Sequence, residues 1–399
     1  MKITDLEILE CDAGWRNYSF VKISTDEGLV GWSEFNEGFG SPGIGTVIQQ
    51  LAGTLIGQPL PGLNRFFADV YARTRPAAGG VVAEGIAAIE NALLDLHAKR
   101  LNVPCYELLG GKVRDRLRVY WSHCPAWRIN HPSYYGPQIS DLDGVRAIGG
   151  EARERGFDAL KTNLFLFEQG SARAWRPGFS APFYPELNID RTVIRNMLDT
   201  IEALRAGAGA DMDILIDVNF HAKTDGYLKL LRALSDVDLF WVELDTYRPE
   251  ALAHIRRQAG QTISSCETLC GGREFLPFFQ QQAVDVAIVD VIWNGAWQSM
   301  KIADLADVHE VNIAPHNFYG HLATMMSAHV ACAVPNFCIM ETDIDRLEWD
   351  AEIFTHVPEY RDGHLVMPDR PGWGTEPVES EIRARPPKRG GGLMQPRKS

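Results

Sequence analysis

Eight short β-branched runs alternate with amphipathic helical stretches from Leu117 onward, and that alternation leaves few folds open to the chain. The runs cover residues 117–121, 159–163, 214–219, 239–244, 262–267, 287–291, 311–316 and 337–342. A strand joined to the next through a helix is a parallel crossover, and eight in succession favour a closed α/β barrel over an open sheet. The second-to-third connection is much longer than the others, with a Pro/Gly/aromatic insertion at 164–188. Ahead of this pattern, residues 2–10 alternate apolar and polar, and 19–24 and 29–35 flank Asp26-Glu27-Gly28, a hairpin signal. Apolar steps of three and four at Val47, Leu51 and Leu55, then at Ile86, Ile89, Leu93 and Leu96, predict helices. The expected organisation is an α+β domain over 1–115, a barrel over 116–345 and a returning segment over 346–382. Residues 383–399, basic and rich in Pro and Gly, read as a disordered tail.

Thirty-nine Lys and Arg against 52 Asp and Glu leave a net charge of −13, the wrong sign for gripping nucleic acid or anionic lipid over a broad surface. The most apolar stretch, 323–340, is interrupted by Ser327, His329, Pro335 and Asn336, so no membrane span is expected. The first residues carry three acids and no apolar core of a signal peptide. Seven scattered cysteines without C-x-x-C spacing are expected to be reduced, in a cytoplasmic protein.

Seven of the runs close on side chains able to do chemistry: Lys161, Asp217, Glu243, Glu267, Asp290, His316 and Glu341, the last six one strand–helix unit apart. Strand C-termini converge on the mouth of a barrel, where active sites of this architecture sit. Asp217, Glu243 and Glu267 thus point at one place. Three carboxylates at close range stay ionised only beside a cation. An all-oxygen set favours Mg²⁺, with Mn²⁺ as the alternative, over zinc. One acid at a strand end is commonly a loop cap or ion pair, but three in register argue against that reading. Asp290 beside His316 on the next strand can orient the imidazole and raise its basicity, giving a general base. The structural alternative is a histidine bonded to a core aspartate.

These positions carry a resemblance, together with residues 87–111 (AAIENALLDLHAKRLNVPCYELLGG) and 363–374 (GHLVMPDRPGWG). Over nearly its whole length the chain resembles the mandelate racemase subgroup of the enolase superfamily, which includes acid-sugar dehydratases. The resemblance implies a modified (β/α)7β TIM-like barrel with an N-terminal α+β capping domain completed by the C-terminal segment. It implies Mg²⁺ on Asp217, Glu243 and Glu267, the dyad Asp290–His316, Glu341 hydrogen-bonding the substrate carboxylate, and a homo-oligomer. It also implies that the dyad histidine addresses substrates of R configuration at C2.

The chain departs from the subgroup pattern in four places. The second strand ends Lys161-Thr162-Asn163 where racemase-like members carry a second lysine. Galactonate-type dehydratases share Lys-x-Asn, but Asn219 stands where they have histidine. Glu243-Leu244-Asp245 stands for the usual Glu-Glu-Pro, and Cys266 for the usual glycine. Asn163, Asn219, Arg16, His123 and Trp293 are candidate substrate contacts. Asn17, Tyr18, Glu37 and Asn294 share that reading, plain surface being the alternative for each. His321 is expected to be structural. Gly38–Gly43 fits G-x-G-x-x-G but follows a hairpin, so a mobile capping-domain loop is expected rather than a dinucleotide site. The expected function is Mg²⁺-dependent dehydration of a small acid sugar. The alternatives are a racemase or epimerase using the same enediolate, or a non-catalytic metal-binding homologue.

Overall fold

The computed structural model describes residues 1–38, 41–168, 170–177 and 188–388. The centre of the glycine loop, most of the insertion beyond 177 and the tail beyond 388 lie outside the described residues. The chain opens with an antiparallel meander of β1 (Ile3–Ala13), β2 (Arg16–Thr25) and β3 (Val30–Phe35). Helices Ile44–Ala52, Leu63–Thr74 and Val81–Leu101 follow. The last is buried on nearly every side, because it lies between the meander and the barrel.

The barrel begins with β4 (Arg116–Trp121) and β5 (Ala159–Thr162). A hairpin, β6 (Phe165–Glu168) and β7 (Ser171–Ala174), is inserted after β5. It continues through β8 (Asp213–Asp217), β9 (Trp241–Glu243), β10 (Ile263–Ser265), β11 (Val286–Asp290), β12 (Asn312–His316) and β13 (Met340–Thr342). All eight barrel strands pair in parallel, β13 returning to β4. The seam between β12 and β13 closes through a single bridge, Ile313 to Phe337.

Alternation along these strands builds the site. The barrel interior is filled by Tyr120, Ala159, Leu215, Trp241, Val286, Ile288, Ala314 and Ile339, all buried. Side chains two residues apart on a strand face the same way. The layer above Ala159, Leu215, Trp241, Ile288, Ala314 and Ile339 is therefore Lys161, Asp217, Glu243, Asp290, His316 and Glu341. Register aligns neighbours: Asp217 stands opposite Glu243, and Asp290 opposite His316. Glu267 breaks the alternation. Its strand ends at Ser265, earlier than expected, and Cys266 adopts φ 88°, which turns the chain so that Glu267 still lines the cavity. That left-handed backbone is unfavourable for a residue with a Cβ.

After β13 the chain forms a hairpin of β14 (Glu359–Arg361) and β15 (His364–Val366), and β15 adds antiparallel to β4 outside the barrel. It then reaches the first domain. There Trp373 donates from its backbone N–H to Asp95 and from its indole to the Trp32 carbonyl, at 3.1 and 3.0 Å. The start of the expected disordered tail is ordered instead. Arg383 pairs with Glu7 at 2.7 Å and Lys388 with Asp12 at 3.0 Å, because the acid-rich first strand supplies counter-charges. No helix among the described residues is long and apolar enough to cross a membrane.

Helices Leu142–Glu154 and Arg191–Ala208 flank β5 and start at Asp141 and Asp190, whose carboxylates accept from Gly144 and Val193 N–H at 2.9 Å. They pack backbone to backbone. A Cβ added at Gly207 would stand 1.9 Å from the Arg146 carbonyl oxygen. Gly207→Ala is expected to cost about 1–3 kcal/mol or more of stability, read as a lower denaturant midpoint. An unchanged midpoint would contradict the close approach.

Candidate active site

A cavity of about 550 Å³ opens at the C-terminal ends of the barrel strands. Lys161, Asp217, Glu267, His316 and Glu341 line it, as do Asn163, Asn219, His123 and Trp293. Lys161 is the hub. Its Nζ lies 2.9 Å from Glu243, 3.1 Å from Glu341 and 3.7 Å from Asp217. Burial opposes its charge, but Glu243 and Glu341 hold its pKa well above the ordinary lysine value. Glu341 accepts from Ser122 Oγ at 2.5 Å and from Asn317 N–H at 2.8 Å. Burial works against its ionisation, yet Lys161 and His316 keep it well below the usual carboxylate range. As positioned it holds Lys161.

His316 Nδ1 stands 2.6 Å from Asp290 Oδ2, while its Nε2 faces Glu267 at 3.6 Å and Glu341 at 4.0 Å. Asp290 is fully engaged. Its other oxygen accepts from Ile292 and Trp293 N–H at 2.8 and 2.9 Å, and Tyr319 O–H donates to Oδ2 at 2.6 Å. Burial pulls the His316 pKa down, but the bond to Asp290 and the charges of Glu267 and Glu341 push it up to about 10.

The departures from the subgroup pattern fall into two pairs, one sharing Asp217 as a partner and the other in direct contact. Asn163 Nδ2 reaches Asp217 Oδ2 at 3.3 Å, and Asn219 donates to Asp217 Oδ1 from N–H at 2.9 Å and from Nδ2 at 2.8 Å. Both asparagines thus orient Asp217 as well as lining the cavity. Asp245 accepts from Cys266 N–H at 3.0 Å and from Ser265 Oγ at 2.7 Å, bracing the strained residue before Glu267.

Among the described residues no three acidic, histidine or cysteine side chains stand close enough to ligate one ion as positioned, since Lys161 lies among the carboxylates. The donor set nevertheless fits a hard cation. Glu243 Oε1 is buried and makes no hydrogen bond. Burial, with Asp217 and Glu341, raises Glu243 to about 8 against the pull of Lys161, and burial and nearby acids raise Glu267 well above the ordinary value. These carboxylates are short of positive charge.

Arg16 is not where the sequence reading puts it. It is buried behind the cavity wall, donating to the Phe318 carbonyl and facing Asp343 at 3.6 Å, and its neighbour Trp15 lines the cavity instead. The reason is alternation at the start of β2, which turns adjacent side chains to opposite faces. Tyr18 is buried on Asp350, Asn17 binds Lys388, and Glu37 accepts from Gly43 and Gly45 N–H at the helix start. None of the three lines the cavity. Asn294 ties the Leu269 and Asp290 carbonyls together. His321 is buried against Phe354, away from the cavity. His123 bonds Asp343 at 3.1 Å and stacks on Trp127 at 4.3 Å, and Trp293 lies 5.5 Å from the His316 ring. Sequence reasoning missed Tyr319, three residues past His316, and the aromatic wall of Trp15, Trp127 and His131. No spacing marks them in the sequence.

The enolase C-terminal domain-like family model matches residues 146–381, and the mandelate racemase / muconate lactonizing enzyme N-terminal domain model matches 13–110. The chain is 30% identical over 404 residues to a D-galactonate dehydratase family member of Streptomyces bingchenggensis, covering 96% of this chain and 93% of that one. It is 27% identical over 381 residues to D-xylonate dehydratase of Haloferax volcanii, covering 94% and 86%. Among solved structures, a Burkholderia xenovorans LB400 protein superposes with a TM-score of 0.97 and 64% identity, covering 99% of this chain and 98% of that one. That protein carries the provisional name L-alanine-DL-glutamate epimerase and was crystallised with magnesium and fumarate.

Proposed function

The chain belongs to the mandelate racemase / muconate lactonizing enzyme family and is an enzyme of the enolase superfamily; from that membership and the site geometry we propose that it is a Mg²⁺-dependent dehydratase of an acid sugar, aldonic or aldaric. What carries the reading is the one-sidedness of the site. A dyad of His316 and Asp290 stands on one side, and Asn163, which cannot accept a proton at ordinary pH, stands where a second lysine would make a two-base racemase.

Mg²⁺ held by Asp217, Glu243 and Glu267 would supply positive charge against which a carboxylate can bear the second negative charge of an enediolate. With the charge of Glu267 met by a cation, one of the pulls that keep His316 protonated is gone, and Nε2 in its neutral form takes the proton α to the carboxylate, with Asp290 and Tyr319 fixing the ring through Nδ1. Lys161, held by Glu341, stays charged and binds the substrate carboxylate oxygens. His316 then returns its proton to the departing β-hydroxyl, and tautomerisation gives a 2-keto-3-deoxy acid. The dehydratase names of relatives at 27–30% identity support this class. The magnesium in the Burkholderia protein supports the metal. That protein's provisional name favours a second reading, epimerisation, which would need Lys161 to give up a proton that Glu243 and Glu341 hold in place.

A panel of aldonic and aldaric acids with Mg²⁺ tests the proposal: 2-keto acid should form from a 2R member, and epimer formation alone would contradict it. Glu267→Gln removes one of three charges facing the cation. It is expected to weaken Mg²⁺ binding at least tenfold and to abolish turnover while the melting curve stays cooperative. Full activity of the parent enzyme in excess chelator would refute the metal assignment.

A further inference from the structure

The cavity holds a second charged feature, outside the series at the strand ends. Arg176 follows β7 and lines the same cavity as Lys161 and His316. Its backbone is pinned on both sides. Trp175 N–H donates to the Leu164 carbonyl at 2.9 Å, and His221 Nδ1 lies 3.1 Å from the Pro177 carbonyl. The Trp175 ring meets His221 edge-on at 5.9 Å. Leu164 directly follows Asn163 at the end of β5, so the hairpin folds Arg176 back toward the strand that carries Lys161.

Among the described residues, no carboxylate pairs with Arg176 and no hydrogen bond reaches its guanidinium. Its neighbours on the hairpin and at the cavity edge are different. Arg173 faces Glu168, and Arg128 pairs with both Glu151 and Asp345. Burial acts on Arg176 unopposed and pushes its pKa down. Burial and the charge of Arg176 also lower His131 and His221 to about 4, so both rings are neutral near pH 7 and add no competing cation. A guanidinium drawn from water without a counter-ion is unfavourable, and its planar fork matches a carboxylate bidentately. Rigid backbone on either side means little order is lost when an anion arrives.

We propose that Arg176 anchors a second carboxylate, at the end of the substrate remote from the reacting carbon, which makes the substrate an aldaric acid. The proposal rests on the dehydratase reading for the chemistry at the near end, and not for the anchor itself. A terminal phosphate would use the same fork. Among the described residues lining the cavity, however, Arg176 is the one arginine or lysine besides Lys161, and its single charge balances a carboxylate and not a phosphate dianion.

The Mg²⁺-loaded parent, Arg176→Met and Arg173→Met are compared on an aldarate, the aldonate of the same configuration and that aldonate's terminal phosphate ester. Arg176→Met should lose about 30- to 100-fold more kcat/KM on the aldarate than on the aldonate, mostly through KM. Arg173→Met, on the same hairpin, should match the parent on both. Equal losses on the two acids, no loss on the aldarate, or a parent preference for the phosphate ester would each overturn the assignment. Calorimetry with two unreactive acids, adipate and hexanoate, separates the anchor from the dehydratase reading. Adipate should bind the parent more tightly than hexanoate, and that advantage should vanish in Arg176→Met whether or not any sugar acid is dehydrated. Equal binding of the two acids by the parent would overturn the anchor.

Discussion

Replacing His316 with Asn should lower turnover of an acid-sugar substrate by roughly 10²- to 10⁴-fold and remove α-proton exchange altogether. Asparagine retains a hydrogen-bonding group near Asp290 but has no basic nitrogen to receive a proton. Substrate binding should change little, because Lys161 remains among Glu243, Glu341 and Asp217. The loss should therefore fall in kcat. Asp290→Asn should give a smaller kcat loss and the same KM, since among the described residues the Asp290 carboxylate bonds His316, Tyr319 and backbone N–H groups. Exchange persisting in the His316 variant would put the base elsewhere, with Lys161 the next candidate.

Lys161→Met should be damaging for two separable reasons. It deletes the cation that would bind the substrate carboxylate. It also leaves Glu243 and Glu341 buried without their ion-pair partner, and breaking a buried pair from one side costs about 3–5 kcal/mol. The expected result is a loss of turnover of more than about 100-fold, together with an unfolding free energy lowered by an amount in that range and a correspondingly lower denaturant midpoint. Normal stability with normal turnover would mean that the lysine is dispensable to both charge networks, contrary to the contacts at 2.9 and 3.1 Å.

The site was legible in the sequence where strand alternation governs it. Lys161, Asp217, Glu243, Asp290, His316 and Glu341 each stand two residues beyond an apolar barrel-interior residue, so period and spacing suffice to aim them at one mouth. Glu267 needed more, because its placement depends on the left-handed Cys266, and only the brace from Asp245 accounts for that backbone. Arg16 lies elsewhere because a one-residue difference in strand register sends a side chain to the opposite face, and this register is set by the turn in which Asp12 accepts from Gly14 N–H. Trp127 and His131 reach the cavity from the short helix Ala126–Asn130 and its C-terminal end, and Arg176 from the segment after the inserted hairpin. Their positions follow from tertiary packing, to which helical and strand periods are blind. Asn163 and Asn219 were read as substrate contacts from their departure from a pattern. Their bonds to Asp217 give them a second function, orienting an acid that would face the cation.

In the one-base mechanism, His316 works on one face of the α-carbon and elimination follows. Proton NMR of paired C2-epimeric acid sugars, incubated with the enzyme and Mg²⁺ in deuterium oxide, tests it most directly. Only the 2R member should lose its C2 proton and be converted to the 2-keto-3-deoxy acid, the 2S epimer being neither consumed nor formed. Deuterium at C2 of both epimers, or conversion of one into the other, would contradict it.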